Sequence, residues 1–197
     1  MRRASLLLGL ALLPVGWGAA AGGMGMTGHM TGHMLAVAVA APLLAWGLVG
    51  TRWDAAARWP GVVTPLAMSV VELAVVWSWH LPPARTLAEA SPVALVAEQA
   101  TFLAAGLLLW AAVLGAGADR RAAGVGALLL TSMHMTLLGA LIGLAPRPLY
   151  AGMTHVSDPL GDQQVGGVVM LLVGAGSYLI GGLAMLRSVL ATREERA

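Results

Sequence analysis

The chain has 197 residues, of which 58% are hydrophobic and 10% charged, with a mean hydropathy of +0.81 and a formal net charge of +2. Soluble domains carry about 45–50% apolar and about 25% charged residues, so this is the composition of an integral membrane protein whose solvent is the lipid bilayer, and its 11 basic residues are too few for a nucleic-acid partner. With no cysteine, disulfides, thiolate metal sites and iron–sulfur clusters are excluded, and any metal must be held by His, Met, Asp or Glu.

About 20 apolar residues cross the hydrocarbon core, and the hydropathy pattern predicts an all-α polytopic transmembrane helical bundle. Six spans are expected, or five if the first is removed. The first run, Ala4 to Ala21, follows Arg2 and Arg3, contains Pro14 and ends in "GAAAGG"; residues 1–21 are either a first span or a cleaved signal peptide. The stretch "GMGMTGHMTGHM", Gly23 to Met34, comes next. The remaining runs cover 33–50, 62–80, 92–115, 122–145 and 164–188, so that residues 22–190 form the bundle and 191–197 a cytoplasmic tail. The chain shows no nucleotide fingerprint, no phosphate loop and no nucleophile with a base at plausible spacing, and the expectation is a protein that is not an enzyme.

With a cytoplasmic N-terminus, Arg2, Arg3, Arg52, Arg58, Arg120, Arg121, Arg187, Arg193 and Arg196 fall inside and only Arg85 and Arg147 outside. This positive-inside pattern predicts a bacterial inner-membrane protein with a cytoplasmic C-terminus. It brings the segments 22–32, 81–91 and 146–163 to the outer face. The histidines follow. His29 and His33 stand at the lip of the second run, His80 ends the third, and His155 lies in the last outer loop. Because His29 and His33 are four apart, as are Met30 and Met34, one extra helical turn would align each pair on a face. Imidazole with thioether suits copper, especially Cu(I), with Met24 and Met26 as further soft ligands; the competing reading is a wet interfacial loop.

Two ionisable residues lie deeper. Glu72 and His134 should both approach the bilayer midplane, where an unpaired charge costs about 2.5–3.5 kcal/mol, and they are expected to pair with each other, as a proton or metal relay or as polar glue between helices. Glu98 and Gln99 point toward the outer vestibule. The "GALIG" segment, Gly139 to Gly143, is a small-xxx-small packing pattern. Asp158 before Pro159 forms a turn, and Asp162 is placed to cap the last helix, or to orient an imidazole of His33 or His80 as an acceptor behind it.

An ordered set of segments, "GHML" with "APLLAWG", then "WHLP", "LLGALIGLAPRPLY" and "DPLGDQQVGGVVM", resembles the membrane-embedded cytochrome c oxidase assembly factors of the CtaG type associated with caa-type oxidases. The likeness runs from His29 to Leu190. It implies a role in making active oxidase, a part in delivering copper, and His33, His80, Asp162 and Gln163 as site residues. One departure stands out: the family's H-x-x-E-H-x-x-F stretch is here "LVAEQATF", with Leu95 and Gln99 in the histidine positions, so that site is either lost or replaced by the methionine arm and His134. The full candidate metal set is therefore Met24, Met26, His29, Met30, His33, Glu72, His80, His134, Asp162 and Gln163. The expected function is copper binding and delivery at the outer face, with oxidase subunits and a periplasmic copper chaperone as partners. The alternatives are a haem-binding redox protein and a copper transporter.

Overall fold

The computed structural model describes residues 1–117, 120–150 and 156–194, and among these every regular element is helical. The helices are α1 (Arg2–Ala21), α2 (Gly25–Leu48), α3 (Ala55–Arg58), α4 (Pro65–Trp79), α5 (Pro82–Ala90), α6 (Pro92–Leu114), α7 (Arg121–Gly143) and α8 (Pro159–Ala191). Five of them, α1, α2, α6, α7 and α8, are long and apolar enough to cross a membrane; α4 is equally apolar but has 15 residues. All six predicted apolar runs are thus helices. Helix α2 begins eight residues before the predicted run, at Gly25, and this extension takes His29 and His33 from the lip into the helix itself.

Small residues set the close crossings. A Cβ on Gly32 of α2 would lie 2.6 Å from the Gly16 carbonyl of α1, and one on Gly167 of α8 would lie 2.6 Å from the Gly143 Cα of α7. The "GALIG" segment does face α8, as a small-residue interface requires.

Helix α2 is not uniformly α-helical. Pro42 has no N–H, so the carbonyl four residues back, Ala38, loses its intrahelical donor. The chain answers with a π-helical segment, Leu35–Ala40, in which the Ala41 N–H reaches the Ala36 carbonyl. The carbonyls so released are taken by side chains of other helices. Ser177 Oγ donates to Ala38 O at 2.7 Å and Trp110 Nε1 to Val37 O at 3.2 Å. A second π-helical segment, Met170–Ala175, interrupts α8, and Ser132 Oγ of α7 donates to its Ala175 carbonyl at 3.0 Å. In a medium without water, irregular backbone survives only where protein supplies the missing partners.

One end of the bundle gathers the residues 22–25, 80–91, 144–150 and 156–162. "HLPP" makes this possible: Pro82 and Pro83 open α5, where a missing N–H costs nothing, directly after His80 has ended α4. Helix α5 folds back over this end and buries Arg85 and Ala88.

Candidate metal centre

His29 and His33 lie one turn apart on α2, His80 ends α4, and Phe102 of α6 packs against all three. The rings of His33 and Phe102 stack with centroids 4.0 Å apart. His80 lies 5.0 Å from His29 and 5.2 Å from His33 by ring centroids. One ring nitrogen from each histidine falls within 4.8 Å of the others, and all three side chains are buried. The shortest of these separations is 3.3 Å, between His29 Nε2 and His80 Nε2. Two nitrogens bound to one ion at 2.0–2.1 Å in a tetrahedral arrangement stand about 3.4 Å apart, so the pair is already spaced as co-ligands.

Each ring differs in what holds it. His80 Nδ1 donates to the Val76 carbonyl at 2.6 Å, which fixes its tautomer and turns the Nε2 lone pair toward the other rings, the arrangement metal-binding imidazoles use. His33 has no hydrogen-bond partner on either nitrogen. A buried polar atom left unpaired costs about 1–3 kcal/mol, and an ion would remove that penalty. His29 Nδ1 accepts from Arg85 Nη1 at 2.6 Å and stands 3.4 Å from Glu98 Oε2. The same Arg85 nitrogen donates to Glu98 Oε1, and Gln99 Nε2 donates to Glu98 Oε2 at 3.2 Å. Arg85 and Glu98 are both buried, and each supplies the countercharge without which the other would be costly to hold.

The surrounding segments are tied to this core. Tyr150 OH donates to the His80 carbonyl at 2.9 Å; burial pushes its hydroxyl up to about 12, so it remains a donor at any physiological pH. Gln163 accepts from Leu149 N–H at 2.7 Å through Oε1 and donates to Ile142 O at 3.0 Å through Nε2, which fixes the turn leading to Tyr150. Asp162 caps a helix, but not its own. Its carboxylate accepts from Met26 N–H at 2.6 Å and Thr27 N–H at 3.1 Å, at the start of α2, while Asp158 caps α8 by accepting from Gly161 N–H at 3.0 Å. The prediction that Asp162 caps the last helix is corrected accordingly.

The family model for the cytochrome c oxidase caa3 assembly factors (Caa3_CtaG) matches residues 1–192. The chain belongs to this family. No curated protein and no solved structure gives a significant match to it.

In this Caa3_CtaG protein the ten predicted site residues separate into groups. His29, His33 and His80 come together. Asp162 and Gln163 act on backbone around them. Met26 lies against Gly166 of α8 and Met34 against Gly174, on the side of α2 that faces the last helix. Met30, between them in the same buried core, shares that stripe of the helix, whereas Met24 is the half-exposed residue that precedes α2. The expected pairing of Glu72 with His134 is not what forms. Tyr178 OH donates to Glu72 Oε1, and neither nitrogen of His134 has a hydrogen-bond partner. A shared depth in the membrane does not fix which face of a helix a residue occupies. His155 lies outside the described residues. By its position in the sequence Arg85 is an isolated outer charge; the helix formed by the amphipathic "PPARTLAEA" directly after "WHL" brings it against His29 and Glu98.

Proposed function

We propose that this Caa3_CtaG protein assists assembly of a haem-copper cytochrome c oxidase by holding copper, as Cu(I), on His29, His33 and His80 and passing it on. The observation that carries the reading is the buried trio itself, with two Nε2 atoms 3.3 Å apart and a third imidazole free of any partner. Neutral imidazoles satisfy a soft monovalent cation. Delivery is non-catalytic and takes place at the outer face of the bacterial inner membrane, with the C-terminus cytoplasmic. A periplasmic copper chaperone is the proposed donor and an oxidase subunit the acceptor. Phe102 lies against all three rings, a packing that suits a bare ion better than the macrocycle of a haem.

The test is competition for Cu(I) between a calibrated chelator and protein purified without a metal-binding tag. One Cu(I) per chain is expected, with loss on His33→Ala or His80→Ala. Absence of binding by the unaltered protein, or normal oxidase copper content in cells carrying His33→Ala, would overturn the proposal. The buried, unpartnered His134 favours transport as a second reading. Copper uptake into proteoliposomes that disappears with His134→Ala would select it.

A further inference from the structure

An open cleft of about 380 Å³ reaches the histidine centre from the end of the bundle, lined by His29, Arg85, Thr86 and Glu89 together with small residues of α1, α2 and α5. Arg85 and His29 both line it, in contact with each other. A guanidinium only donates hydrogen bonds, so His29 Nδ1, which receives Arg85 Nη1 at 2.6 Å, is the acceptor nitrogen. The ring's single proton in its neutral form is therefore on Nε2, where it points at the Nε2 lone pair of His80, 3.3 Å away. In that tautomer His29 has no lone pair facing the centre.

We propose that Arg85 gates the centre by holding His29 in this closed tautomer. Opening moves one proton from His29 Nε2 to His29 Nδ1, with no net gain or loss of protons. The new Nδ1–H has an acceptor waiting in Glu98 Oε2, at 3.4 Å, and a carboxylate behind an imidazole is the partner that orients a metal ligand. Arg85 has to withdraw from Nδ1, since two donors cannot face each other, but it keeps Glu98 Oε1. Its Nε carries no hydrogen bond and lies 3.7 Å from Glu89 Oε1 on the cleft side, which offers the guanidinium a second position. Glu98 thus exchanges a shared role for a divided one, Oε1 on Arg85 and Oε2 on His29. The gate rests on the copper reading for its purpose, but not for its chemistry.

The test therefore begins without metal. In 15N-histidine-labelled protein in nanodiscs, with His29 assigned by its loss in His29→Gln, metal-free His29 is expected to be protonated on Nε2. Arg85→Lys, which keeps the charge beside Glu98 but not the fork, is expected to shift His29 toward the Nδ1–H form and to tighten Cu(I) binding on the order of tenfold. Should Arg85→Lys fold poorly, Arg85→Met with Glu98→Gln removes both charges together and is expected to shift the tautomer in the same direction. An unaltered protein already protonated on Nδ1, or a tautomer that neither variant moves, would overturn the gate. A chain that shows the expected tautomers but binds no Cu(I) overturns the copper reading instead.

Discussion

Asp162, in the first turn of the last helix, closes the N-terminus of the helix that carries His29 and His33, through its 2.6 Å bond from Met26 N–H. The two residues are 136 positions apart. Thr27 strengthens the join, its N–H and its hydroxyl both donating to Asp162. A carboxylate here also faces the positive end of the α2 dipole.

Asp162→Ala should therefore lower stability by about 0.5–2 kcal/mol, the cost of a lost cap, and weaken Cu(I) binding although Asp162 touches none of the rings. Asp162→Asn should retain most of both properties. Thermal melting in detergent and the chelator competition check the pair.

Gly25 and Gly23 make a matched comparison. Both have positive φ, +58° and +72°, and each should lose about 1–2 kcal/mol as alanine from the left-handed backbone alone. At Gly25 the added Cβ would also overlap Asp162 Oδ2, whereas at Gly23 nothing lies within 4 Å. Gly25→Ala should consequently be the more damaging in a melting experiment, and only it should lower copper affinity.

Much of this was legible in the sequence. The apolar runs gave the helices, and "WHLP" and "DQQ" pointed at His80, Asp162 and Gln163. The helix that Asp162 caps was not, because a cap partner 136 residues away leaves no local signal. Arg85 was hidden for a related reason. An isolated arginine near a span end reads as a topology signal, and only the return of α5 over the histidines turns it into a buried partner of Glu98. The π-helical segment at residues 35–40 is likewise absent from the hydropathy pattern, which marks an apolar run without fixing its helical register.

Tyr178 and Glu72 should behave as a unit. Tyr178→Phe leaves the buried carboxyl of Glu72 without its donor and should cost about 1–3 kcal/mol. Glu72→Leu combined with Tyr178→Phe removes both partners and should recover part of that loss, which a double-mutant cycle of melting free energies measures.

Gly167 should tolerate no side chain. A Cβ there would meet Gly143 Cα at 2.6 Å and Gly139 O at 2.7 Å, all backbone, while one on Gly126 would meet nothing within 4 Å. Gly167→Ala is expected to cost about 1–3 kcal/mol by overpacking. Gly126→Ala should be neutral or stabilise by up to about 1 kcal/mol, and parallel thermal melts separate the two.

Because Asp162 and Gln163 belong to the last helix, the histidine centre has a position in time as well as in space. A nascent chain that has emerged only as far as α7 already contains all three histidines, Arg85 and Glu98. It lacks the carboxylate that closes the start of α2 and the amide that fixes the turn before Tyr150. The surroundings of the three histidines are complete only once the last helix has been made, so chains stopped at α7 should be poorly equipped to hold the ion proposed for them.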